Sequence, residues 1–241
     1  GSFFAILVCL AVAVPTAYAD VIVPNALANV EGNSNNSFPF NINAFGLSSQ
    51  RYQQIYSSTE FSEPILISGI AFRPDAEFGA AFSSTLPNVQ ISLSTTSTAV
   101  DGLSPTFANN VGGNVTTVFS GALSLSSLFT GPPNGPKAFD ILITFGTPFL
   151  YNPALGNLLL DVRNFTGGTT TPFDAQSSLT PDPISRVFSL SSSGVNDPTG
   201  VVDSAGLVTK FVTLTPIPEP SSLLLLSVGL AAFGFLRRRP H

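Results

Sequence analysis

The sequence predicts an all-β protein: a single antiparallel β-sandwich, jelly-roll or immunoglobulin-like, flanked by an N-terminal signal segment and a short C-terminal transmembrane helix. Three observations predict it. Short runs rich in Ile, Val, Leu, Phe and Thr recur between turn clusters, and several of them alternate apolar with polar residues. Twenty Gly and twenty Pro among 241 residues interrupt the chain often enough to leave no room for long helices. The hydrophobic share of 44%, against only 10% charged residues, is concentrated in two short segments at the ends.

The first of these segments, residues 1–19, reads as a signal peptide. Phe3–Val14 is an unbroken apolar run, too short to span a bilayer, and Ala17-Tyr18-Ala19 places small residues at the two positions that a signal peptidase reads before a cut ahead of Asp20. The chain opens at Gly1 with no basic residue before the run, which is expected of a truncated start. Cys9 is the only cysteine, so removal of this segment leaves a body without thiols, as suits an exported protein that does not rely on disulfides.

Residues 20–50 follow as a loop-rich entry, with Asn33-Ser34-Asn35-Asn36-Ser37 at its centre. Residues 51–215 form the expected sandwich. Its strands are expected at 51–56, 65–72, 88–94, 114–119, 139–145, 158–162, 185–189 and 208–214, separated by turns such as Arg73-Pro74-Asp75 and Gly112-Gly113-Asn114. Val89, Ile91 and Leu93 share one face opposite Gln90, Ser92 and Ser94. Likewise Phe139, Ile141, Ile143 and Phe145 oppose Asp140, Leu142 and Thr144. Such alternation predicts half-buried strands with a polar, solvated side. Twenty-one Phe with no Trp or Met predict a Phe-rich core. Residues 120–129, in which Leu123, Leu125 and Leu128 fit neither period, are left open between strand and short helix.

The last segment, residues 216–241, has three parts. Pro218-Glu219-Pro220 is denied a helix by its flanking prolines and presents an extended backbone, the form that a protease cleft accepts. Leu223–Leu236 is an apolar run that as a helix spans roughly 21 Å, short of a bilayer core about 30 Å thick. Arg237, Arg238 and Arg239 close it and belong on the cytoplasmic side by the positive-inside rule. These three parts, in this order, resemble the C-terminal signal of the bacterial PEP-CTERM proteins. The resemblance implies recognition of Pro218, Glu219 and Pro220 by an exosortase, transient anchoring in the inner membrane, cleavage near the motif, and delivery to the cell surface or extracellular matrix. Stretches of the body such as Arg51–Ser58 and Asn157–Asn164 are similar to ectodomains that accompany this signal, which implies architecture and address rather than an activity.

Charge and residue inventory narrow the chemistry. Setting aside Arg237–Arg239, six basic residues face fourteen acidic ones, a balance of −8. Nucleic acid is therefore excluded as a partner, because phosphate neutralisation needs clustered Lys and Arg. The single His is His241, so Ser-His-Asp and Cys-His catalysis are not expected in the body. Carboxylate pairs for a glycosidase are Asp75 with Glu77, Asp140 with Asp161, and Glu60 with Glu63. Asp161 and Arg163 are expected to form a surface ion pair. Asn196, Asp197 and Asp203, or Asp182, offer oxygen ligands for calcium, but neither loop has the alternating Asp/Asn ladder of a dedicated site. No cofactor and no metal are expected.

The expectation is a non-enzymatic structural or binding protein of the cell surface or exopolysaccharide matrix, its partners an exosortase and exopolysaccharide or other surface glycans. The alternative is a secreted hydrolase using carboxylates, such as a glycosidase.

Overall fold

The computed structural model describes residues 19–214, apart from 134 and 178–180. The signal segment, the Pro218-Glu219-Pro220 motif, the apolar run and Arg237–Arg239 lie outside the described residues. Ala19 is the first residue described and is exposed. Among the described residues no helix is long and apolar enough to cross a membrane.

The described chain is all-β. Its strands are β1 (Val21–Val23), β2 (Ser34–Asn36), β3 (Gln50–Tyr56), β4 (Ile65–Phe72), β5 (Phe82–Thr96), β6 (Thr116–Ser127), β7 (Ile141–Tyr151), β8 (Asn157–Asn164), β9 (Phe173–Ser177), β10 (Ile184–Phe188), β11 (Val201–Asp203), β12 (Ala205–Leu207) and β13 (Thr209–Thr213), joined by loops and short 3-10 turns. They form a four-stranded sheet β1-β13-β4-β7, a six-stranded sheet β11-β10-β3-β8-β5-β6 and a small sheet β12-β9-β2. All strand pairings within the sheets are antiparallel.

The two larger sheets pack as in a β-sandwich. Tyr56 of β3 meets Phe211 of β13 edge-on at 4.9 Å, and its hydroxyl shares a 2.9 Å hydrogen bond with Thr209. Phe61 continues the contact to Tyr151 and Phe211. Towards the other end, Phe40, Phe72 and Phe173 cluster with ring centroids 5.6–5.9 Å apart and join the small sheet to the core. The expected Phe-rich core is present, and each fully buried ring removes about 150–250 Å² from water.

Each expected strand has a counterpart, and 65–72 coincides with β4. Residues 120–129 resolve into strand: Leu123, Leu125 and Ser127 point inward along β6 and the strand ends before Leu128, which is 80% exposed. Along β7 the alternation holds, with Ile141, Ile143 and Phe145 buried and Leu142 and Thr144 exposed.

Two expectations are corrected. Ser92 and Ser94 do not face water, because residues 97–115 fold back over the outer face of the six-stranded sheet. Val100, Leu103 and Phe107 pack there on Ile55, Leu159 and Val187, and the Ser94 hydroxyl accepts the Gly112 amide. This cover explains why all seven residues of β3 are buried. The second correction concerns Asp161, whose ion-pair partner is Arg51 of the neighbouring strand at 2.6 Å, with side-chain exposures of 9% and 11%. Gln53 donates to the same carboxylate and Asn110 donates to Gln53, so the polar row beneath the cover is satisfied internally.

The entry segment is more ordered than its composition suggests. It supplies β1, β2 and the buried Phe38, Phe40 and Ile42. Asp20 ties its start to the end of the body: one carboxylate oxygen accepts the Thr213 amide at 3.1 Å and the other pairs with Lys210 at 2.9 Å.

Candidate functional site

Beyond the C-terminal end of β4, three distant segments converge. The backbone of 73–75 runs beside β9: Asp174 donates its amide to the Arg73 carbonyl, Asp75 donates to Pro172, and Pro74 bridges Phe173. Residues 28–33 cross this pair. Gly32 is required there, since a Cβ would sit 2.1 Å from the Ala175 carbonyl oxygen, and its amide donates to Asp174 Oδ1 at 2.9 Å. The result brings Glu31, Asp75 and Asp174 together, with one carboxylate oxygen of each within 4.8 Å of the others.

Each carboxylate is held by a fixed set of partners. Asp174 is fully buried and accepts Arg73 Nε at 2.7 Å; Arg73 also donates to the carbonyls of Leu27 and Val30 and stacks 4.7 Å from the Phe139 ring. Asp75 Oδ1 accepts the amides of Glu77 and Phe78, closing the turn. Glu31 Oε1 accepts the Ala76 amide at 2.7 Å, while its Oε2 is buried without a partner. Burial raises the Glu31 pKa, opposed by the Ala76 amide and by Arg73, with Asp75 adding to the rise. Burial likewise raises Asp174 to about 6, against the pull of Arg73.

A cleft of about 590 Å³ opens over Glu31 and Asp75, lined also by Asn33, Asn35, Glu77 and Phe78. The Phe78 ring is 59% exposed. The cleft therefore combines an accessible aromatic face with carboxylates whose orientation is set by backbone amides. Such a surface accepts hydroxyl hydrogen bonds while an apolar C–H face packs on the ring. The three carboxylates are also hard oxygen ligands of the kind that hold calcium or magnesium. Asp174, however, is already neutralised by Arg73, which leaves Glu31 and Asp75 for a cation.

The residues singled out in the sequence are placed as follows. Asp75 and Glu77 both line the cleft, and Asp75 meets Glu31 and Asp174. Asp140 caps the Leu128 amide, whereas Asp161 lies under the 97–115 cover with Arg51. Glu60 accepts the Asn25 amide and Glu63 is exposed. Of the calcium candidates, Asp203 gives both oxygens to Arg186 at 2.7 and 2.8 Å, Asp197 accepts the Ser191 hydroxyl, and Asp182 Oδ1 accepts the Ile184 amide. Asn196 lies in the short 3-10 turn Gly194–Asn196. Sequence reading missed Glu31, Asp174 and Phe78. Glu31 and Asp174 are 143 positions apart and meet only through the pairing of β2 with β9, so no local pattern marks them.

Comparison with known proteins bears on the C-terminal segment. The family model described as the PEP-CTERM protein-sorting motif matches residues 216–239. The chain thus carries the sorting signal of an exported protein that is processed at the membrane by an exosortase. No curated protein and no solved structure matches the chain.

Proposed function

We propose that the body is a non-enzymatic module of the cell surface or exopolysaccharide matrix, delivered there by its C-terminal signal, and that it binds glycans in the cleft over Glu31 and Asp75. The observation that carries the address is the sorting motif at 216–239. Glycan binding is supported by the composition of the cleft. The Phe78 ring is available to pack on a sugar face, and the exposed Asn35 and Glu77 line the same cleft with groups that hydrogen-bond hydroxyls. A glycan array on the wild type and on Phe78→Ala tests this: the account expects saccharide ligands whose signal falls at least tenfold in the variant. An array without ligands, or ligands indifferent to Phe78, counts against it.

One observation favours a second reading, a carboxylate-dependent hydrolase. Glu31, with its pKa raised by burial, stands beside Asp75 in an open cleft, as an acid beside a carboxylate does in glycosidases. Saccharide turnover abolished by Glu31→Gln supports this reading in place of passive binding.

A further inference from the structure

The chain leaves the body through a row of leucines. Leu214 donates its amide to the Leu66 carbonyl at 2.9 Å, and Leu66 is paired in register with Leu150 of β7. Ile67 and Phe149, one position further along the same two strands, turn into the core, so Leu66 and Leu150 face outward. Leu150 is 68% exposed and Leu214 42%. The charged pair on this sheet nearest the exit, Asp20 with Lys210, is internally neutralised.

The length of chain beyond this row says what covers it. Leu223, the first residue of the apolar run, lies nine positions after Leu214, with eight residues between them. At no more than about 3.5 Å per residue, the run begins within roughly 30 Å of Leu214. An apolar surface held this close to a bilayer works at the high effective concentration of an intramolecular contact, so even a small patch engages.

We propose that, while Leu223–Leu236 is anchored, the body rests on the lipid surface through Leu66, Leu150 and Leu214. This rests on the membrane reading of the C-terminal segment given above. It adds a position: β4 starts at the leucine row and ends beside the cleft, so the Glu31–Asp75 site lies at the end of the strand remote from the lipid contact. Cutting near Glu219 then removes the tether, and the patch alone no longer holds the body to lipid.

The test uses the full chain with Cys9→Ser, bearing a single cysteine at Leu150→Cys, Leu230→Cys or Val30→Cys and labelled with an environment-sensitive fluorophore. Val30 lies beside the cleft, where its carbonyl accepts Arg73, and is 57% exposed. Each protein is reconstituted in phosphatidylethanolamine/phosphatidylglycerol vesicles that carry a nitroxide quencher on the lipid headgroups. The expected result is quenching at 150 and 230 several times that at 30. Quenching at 230 with 150 no different from 30 overturns the proposal and leaves the membrane reading intact. Absence of quenching at 230 overturns the membrane reading and the proposal with it. Disulfide-linked dimers of unlabelled Leu150→Cys, in place of lipid quenching at 150, assign the patch to a second copy and also overturn it.

Discussion

Arg73 and Asp174 form the most deeply buried ion pair among the described residues, 2.6 Å apart with side-chain exposures of 1% and 0%. The pair joins the end of β4 to β9. Through the two carbonyls that Arg73 also binds, it fixes the 27–30 segment that carries Glu31 to the cleft. Removing the cation strands a buried carboxylate. Arg73→Leu is therefore expected to cost about 3–5 kcal/mol, measured by urea denaturation, with Asp174→Asn costing less because the amide oxygen still accepts from Arg73.

The cover over the six-stranded sheet depends on Phe107, which is fully buried against Ile55, Leu159 and Val187. Phe107→Ala should destabilise by about 3–5 kcal/mol. It should also expose the Arg51–Asp161 row beneath, readable as faster hydrogen exchange in β3 and β8 than in β4 and β13.

Stability should rise on mild acidification. Burial raises Asp174 and Asp182 from 3.8 to about 6, and raises Glu31 as well. A carboxyl whose pKa is higher in the folded state binds its proton more tightly there, so its contribution is complete below about pH 4 and is lost as pH rises through about 6. The melting temperature at pH 5 is expected to exceed that at pH 7.5. Asp182 Oδ2 is buried without a partner, so Asp182→Asn should stabilise the protein at pH 7.5 and have little effect at pH 4. A melting temperature that climbs steadily from pH 5 to 7.5 contradicts this.

Phe78 separates binding from folding. Because its ring is mostly in solvent, Phe78→Ala should leave the melting temperature within about 1 °C of the wild type while reducing saccharide binding, read by titration calorimetry.

What the sequence made legible follows from range. Strands such as β4 and β7 announce themselves through period two and turn residues, because both signals are local. The alternation of Val89 to Ser94 is equally clear, yet it placed Ser92 and Ser94 in water; what covers a polar face is decided by residues 97–115 returning over it, and period two carries no record of that. Pairing Asp161 with Arg163 failed for a related reason, since Arg51 enters from the adjacent strand in register with Arg163. In the cleft only Asp75 and Glu77 were legible, through their turn. Glu31 lies in what reads as a loop-rich entry, and Asp174 falls between the expected strands at 158–162 and 185–189; only the pairing of β2 with β9 brings them together.

Delivery by the C-terminal signal is read out by following release of the protein in a host that has its exosortase, comparing the wild type with Glu219→Ala. The account predicts that the variant accumulates uncut in the membrane fraction while the wild-type body appears, shortened, outside the cell. Equal release of both proteins at the same size would contradict it.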